Sequence, residues 1–180
     1  MMRIRPWSLA LLAAMLLACS PALNWREVRI DGMPLRLLLP CKPDRAERAV
    51  AMGGRQLPLR MLGCDADGAT FAVSHVQAPV AAGLDVAALL AGWKAAVLAH
   101  VQASAVVEQV WAPAGVGTSG PALRLRAEGR RADGAAIAMQ AVWFATADAA
   151  GLHLVHGVVF TPQLRPDVAE SFFSSFAPAP

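Results

Sequence analysis

Tyrosine is absent from this 180-residue chain, and charged residues make up only 16% of it. No basic run interleaves with aromatic residues, so the pattern that tracks a nucleic-acid backbone is missing. Cysteine occurs three times and never as C-x-x-C, the spacing that redox-active thiols ordinarily need. No G-x-S-x-G elbow is present, and neither Ser74, Ser119 nor the run Ser171 to Ser175 stands where a strand-to-helix turn would expose a nucleophile. Internal repeats and long low-complexity linkers are lacking. Apolar stretches never reach the roughly 20 residues that cross a bilayer as a helix. Polytopic membrane proteins, nucleic-acid binders and dithiol oxidoreductases are thereby set aside.

What is there begins at the amino terminus. Arg3 and Arg5 precede the apolar segment Trp7 to Leu17, and Leu16-Leu17-Ala18-Cys19-Ser20 closes it. The order charged, hydrophobic, small is that of an export signal. This ending resembles the lipobox of bacterial lipoproteins. The resemblance implies a signal peptide over 1–18, a lipidated Cys19 opening a tether over 19–24, and one domain over 25–180. Each buried CH2 adds about 0.8 kcal/mol of membrane affinity, so three acyl chains hold effectively permanently. Ser20, where the family's retention signal is an aspartate, implies the periplasmic face of the outer membrane. Ordinary secretion, with cleavage after Ser20-Pro21-Ala22 and a soluble periplasmic product, is the alternative. With Cys19 lipidated, Cys41 and Cys64 are left as an even pair in an oxidising compartment and are expected to form a disulfide. Closing a loop of about 24 residues is worth about 3 kcal/mol on the chain-entropy model.

Charge is uneven. The chain carries +3, which falls by two without Arg3 and Arg5. Residues 24–60 contain eight Lys or Arg against four acidic residues. A basic face near the lipid suits anionic head groups, and a plain solvated face is the competing reading. Trp25 with Arg26, close behind the tether, suits either a membrane-proximal contact or packing on the domain. Arg124 and Arg126 project from one strand face, with Arg130 and Arg131 at the next hairpin tip, as an anion or partner patch or as solvated charge.

Periodicity gives the element order. Asp31-Gly32 joins Val28-Arg29-Ile30 to the run Leu35 to Leu39 as a hairpin. Leu57, Leu59 and Met61 alternate with polar partners, and Pro58 marks an edge strand. Phe71, Val73 and His75 form another alternation. Asp85 caps a helix over Val86 to about Gln102, with Val86, Leu89, Leu90, Trp93, Val97 and Val101 on one stripe. Strands follow at Val106 to Trp111, Ala122 to Gly129, Ala135 to Ala145 and Leu152 to Thr161, with a hairpin at Asp133-Gly134. A final helix starts near Pro166 and docks through Val168, Phe172 and Phe176. The expected fold class is α+β: a single antiparallel sheet flanked by a long central helix and a C-terminal helix. The segments L-L-L-P-C-K-P, D-V-A-A-L-L-A-G-W and F-F-S-S-F, in that order, resemble the PsbP-like α/β/α sandwich, whose members mainly bind and stabilise other proteins.

Few constellations promise chemistry. Gly115 to Gly120 spells G-x-G-x-x-G, but a strand follows where a dinucleotide site needs a helix, so no nucleotide is expected. His153 and His156 read as H-x-x-H. On a strand this spacing puts them on opposite faces, His156 on the apolar side and His153 exposed, so neither a metal nor another cofactor is expected. Whether any of His75, His100, His153 and His156 meet across the sheet is open at this level. Glu108, mid-strand, has no evident partner. These readings lead to a non-enzymatic envelope lipoprotein, held to the membrane by its lipid, whose domain binds an envelope protein. The alternative is a small-molecule or lipid-binding periplasmic module, which an apolar cavity beneath the Val86 helix would favour.

Overall fold

The structure is a computed structural model describing residues 22–79 and 84–179. The proposed signal peptide and Cys19 lie outside the described residues. Among the described residues ten strands and two helices follow one another: β1 (Arg26–Arg29), β2 (Leu35–Leu39), β3 (Asp44–Met52), β4 (Arg55–Ala66), β5 (Ala69–Ala78), α1 (Val86–His100), β6 (Ser104–Val110), β7 (Leu123–Arg130), β8 (Ala136–Asp148), β9 (Gly151–Thr161), α2 (Pro166–Phe173) and β10 (Ala177–Pro178). Seven strands form one antiparallel sheet in the order β3-β4-β5-β9-β8-β7-β6, and β1-β2-β10 form a separate small one.

The expectation of an α+β sandwich with one sheet and a long central helix is therefore corrected. Strands take 53% of the described residues and helices 15%, in two short elements and two sheets. Two local features explain the difference. Pro40 and Pro43 stand between β2 and β3, and proline offers no N–H to carry a ladder onward. The β1–β2 hairpin instead folds onto a face of the large sheet, where Leu35, Leu37 and Leu39 are buried. Second, Asp44 to Met52 has no apolar alternation, yet it pairs with β4 along its whole length as an edge strand. Gly53 and Gly54, at φ 58° and 72°, make the tight turn that fixes this pairing, a conformation glycine adopts without steric cost. Pro58 does not make β4 an edge. It stands in the overhang beyond β5, where β4 pairs with β3 alone.

The large sheet is covered on both sides. The small sheet and α2 pack on one face over Phe71, Val73, Val142, Phe144 and Val155. The other face, carrying Leu59, Val76, Met139, Trp143 and Leu154, lies under α1. Central strand β9 is consequently buried on both faces, which is why its sequence is nearly continuously apolar. Cys41, just past β2, is bonded to Cys64 in β4 with Cα atoms 6.0 Å apart, so the bridge ties the small sheet to the large one. Replacing both cysteines by alanine should lower stability by about 3 kcal/mol, seen as a lower urea midpoint. An unchanged midpoint would show that packing alone fixes the two sheets.

Candidate functional site

Asp85 starts α1 as expected, its carboxylate accepting the Ala88 N–H at 3.0 Å. The helix ends two residues before the expected Gln102, and its apolar stripe is incompletely covered. Leu90 is its one buried side chain, while Leu89, Trp93 and Val97 are half-buried. The reason lies in the sheet below. The β3–β4 hairpin extends past the end of its pairing with β5, so it lies alongside the helix and leaves a gap. That gap is a groove of about 610 Å³, within the range of small-ligand sites. Val50, Met52 and Leu59 form one wall, Leu89, Trp93 and Val97 the other, and Phe160 also lines it. Gly92 and Ala96 keep the helix side shallow, and the polar lining is Arg48 and His100.

Behind Trp93 the layer contains two unpartnered nitrogens. His156 meets Trp93 edge-on, with ring centroids 5.6 Å apart, and stacks on Trp143 at 4.3 Å. Neither His156 Nε2 nor Trp143 Nε1 has a hydrogen-bond partner among the described residues. Burial with no compensating charge pushes the His156 imidazole down to about 3, so the ring is neutral at any physiological pH.

His153 is not exposed, which corrects the expectation from strand alternation. Its face of β9 is covered too, and the apolar residues on both faces between Leu152 and Phe160, broken only by the two histidines and Gly157, were the available sign of burial on both sides. His75 and His153 meet across the β5–β9 pair, Nε2 to Nδ1 at 3.0 Å, and His153 Nε2 lies 2.9 Å from Asp148 Oδ1. Hydrogen bonds, first from His153 and then from the Ala150 backbone, hold Asp148 below the usual carboxylate range. The ionised carboxylate accepts from His153 Nε2–H, so His153 Nδ1 accepts from His75 Nε2–H. This leaves His75 Nδ1 as a lone pair without a partner among the described residues. Burial is the main cause of a His75 imidazole lowered to about 4, with the charges of His153 and Arg60 adding to it and Asp148 opposing it. An Asp-His-His chain can orient a base, but among the described residues no side-chain hydroxyl is hydrogen-bonded to either imidazole, although Thr146 stands opposite His153 in the β8–β9 pair. Ser74 neighbours His75 in sequence and so projects from the opposite face of β5.

The four arginines of the expected patch fall into two pairs in different places. Arg124 is ion-paired with Glu170 of α2 and lies over the Phe173 ring, 4.9 Å from its centroid. Arg126 lines a small depression together with Arg124, Gln140 and Leu164. Arg130 and Arg131 instead stand beside His100 at the carboxyl end of α1. Trp25 is half-buried, its ring edge-on to Phe71 at 5.9 Å, and Arg26 reaches the Asn24 carbonyl at 3.5 Å. Glu108 is explained by Lys94 of α1, whose ammonium bonds both carboxylate oxygens at 2.7 and 2.8 Å. Gly115 to Gly120 is a loop that leads into strand β7.

Among the described residues, no group of three or more His, Cys, Asp or Glu is arranged to hold a metal, and no helix is long and apolar enough to cross a membrane. The groove beneath α1 has the size and lining of a small-ligand site. No family model and no curated protein matches the chain.

Proposed function

We propose that this chain is a non-enzymatic envelope lipoprotein whose domain binds a small apolar ligand in the groove beneath α1. The observation that carries the reading is the 610 Å³ space walled by aliphatic and aromatic side chains. A ligand chain filling it would take these apolar walls out of contact with water. A neutral fluorescent probe such as N-phenylnaphthylamine should bind once per chain. Ala96→Trp, which places a bulky ring into the groove from an exposed helix position, should weaken binding at least tenfold. Unchanged binding in that variant would remove the groove from consideration.

A protein partner is the second reading, and strand β6 is the observation in its favour. It is an edge strand, and Val106, Val107 and Val110 are exposed on it, Val110 at 95%. The bulge between Ser104 and Val107 shortens the length available for strand addition. The anchor completes the proposal: Cys19 takes lipid, and Ser20 directs the protein to the periplasmic face of the outer membrane. Palmitate should label the wild-type protein and fail to label Cys19→Ala. Label persisting in the variant would remove the anchor.

A further inference from the structure

We propose that the ligand is a single-chain amphiphile with an anionic head group, its chain against Trp93 and its head group at the carboxyl end of α1. This rests on the reading of the groove as a ligand site, and adds the ligand's charge, chain number and orientation. The groove is polarised along its length. Met52, Gly53 and Leu89 close the end near the start of the helix, whereas the polar residues Arg48 and His100 lie toward its carboxyl end. His100, Val101 and Phe160 also border a second cavity of about 620 Å³, lined further by Arg130, Arg131 and Ile137. The apolar groove thus continues into an opening lined by Arg130 and Arg131.

Among the described residues these arginines have no carboxylate partner, although Arg130 Nη1 donates to the Gly134 carbonyl at 3.3 Å. Arg29, Arg36, Arg60, Arg124 and Arg165 each pair with a carboxylate, whereas Arg48, Arg130 and Arg131 pair with none among the described residues. Asp133, the acidic residue lining the opening, already accepts the Ala135 N–H at 2.9 Å. The β7–β8 hairpin that carries the arginines is fixed to the helix end. Arg130 N–H donates to the Val101 carbonyl at 2.8 Å, and a Cβ on Gly129 would lie 2.8 Å from that same oxygen. The carboxyl end of a helix dipole repels anions, so selection for negative charge falls to the guanidinium groups. The groove's volume is that of one small molecule, hence one chain rather than two.

The test uses the full chain in phosphatidylcholine nanodiscs, titrated with a terminally brominated undecanoate and with the matching brominated undecanol. Bromine quenches nearby tryptophan, and the component of emission missing from Trp93→Phe reports the groove. Undecanoate should half-saturate that component at a concentration at least tenfold lower than undecanol. In Arg48→Gln and in the Arg130→Gln/Arg131→Gln double variant the two concentrations should converge, with that for undecanol unchanged. Equal concentrations in the wild type would overturn the anionic assignment and leave the groove reading intact. Failure of both probes to quench Trp93 would overturn both.

Discussion

Lowering the pH from 6.5 to 4 should destabilise the folded chain on the order of 6 kcal/mol, through two buried histidines on opposite faces of the large sheet. In the native state His75 is lowered to about 4 and His156 to about 3, while an exposed imidazole titrates near 6.5. Within this window the unfolded chain binds protons that the folded chain refuses, so unfolding becomes more favourable as the pH falls. Stability is full above about 6.5, is lost through the window, and goes on falling towards pH 3 as His156 alone resists protonation. Each pH unit of separation is worth about 1.4 kcal/mol per group, so each histidine contributes roughly 3 kcal/mol by pH 4. Total stabilities of domains are about 5–15 kcal/mol, so the loss is a large part of the whole. Urea titrations at pH 7 and pH 4 measure it, with His156→Leu as the comparison because it removes one titrating group from an apolar site. The variant should show a distinctly shallower dependence on pH. Parallel wild-type and variant curves would mean that His156 is not the neutral buried ring seen between Trp93 and Trp143.

Phe172→Ala should cost roughly 3–5 kcal/mol, the usual range for a fully buried phenylalanine. Phe172 is 0% exposed and sits edge-on to Phe71 at 5.9 Å, with Phe173 and Phe176 at 5.3 and 5.6 Å. Its helix also positions Ser175, whose hydroxyl accepts the Leu38 N–H at 2.9 Å and donates to the Phe172 carbonyl at 2.6 Å. Truncation therefore loosens both α2 and the small sheet beneath it. There is little scope for collapse, since Gly157 already lets Phe176 approach to within 3.0 Å of where a Cβ would stand. Thermal unfolding should shift down by about 10 °C or more. A shift of a degree or two would make the C-terminal segment peripheral to the fold.

Local chemistry was legible in the sequence; its assembly was not. Asp85 caps its helix, Pro166 opens the last one, and Asp31-Gly32 and Asp133-Gly134 make turns with glycine φ values of 76° and 85°. Each of these depends on neighbours a few residues away. Pairing and layering depend on residues far apart in the chain, and there the expectations departed from the structure. Asp44 to Met52 is mostly exposed, so it shows no alternation although it pairs throughout. Its available sign was the Gly53-Gly54 dipeptide between two extended runs. The burial of His153 depends on what covers a second sheet face, a property of layers that strand period cannot reveal. The disulfide was readable by elimination among three cysteines, and the structure forms it. The groove could not be read at all, because the same apolar stripe describes a helix lying flat on a sheet and one standing away from it.

That stand-off has a consequence for motion. With Leu90 as its one buried side chain, α1 is held by far fewer apolar contacts than β8 or β9, whose residues are buried almost throughout. Segments with little buried surface open locally at a fraction of the global unfolding free energy. Opening of the helix away from paired strands is therefore favoured over opening of the strands, against the Lys94–Glu108 pair, the Trp93–His156 contact and the Arg130 N–H bond to the Val101 carbonyl. The element that roofs the groove is thus also the one best able to open it.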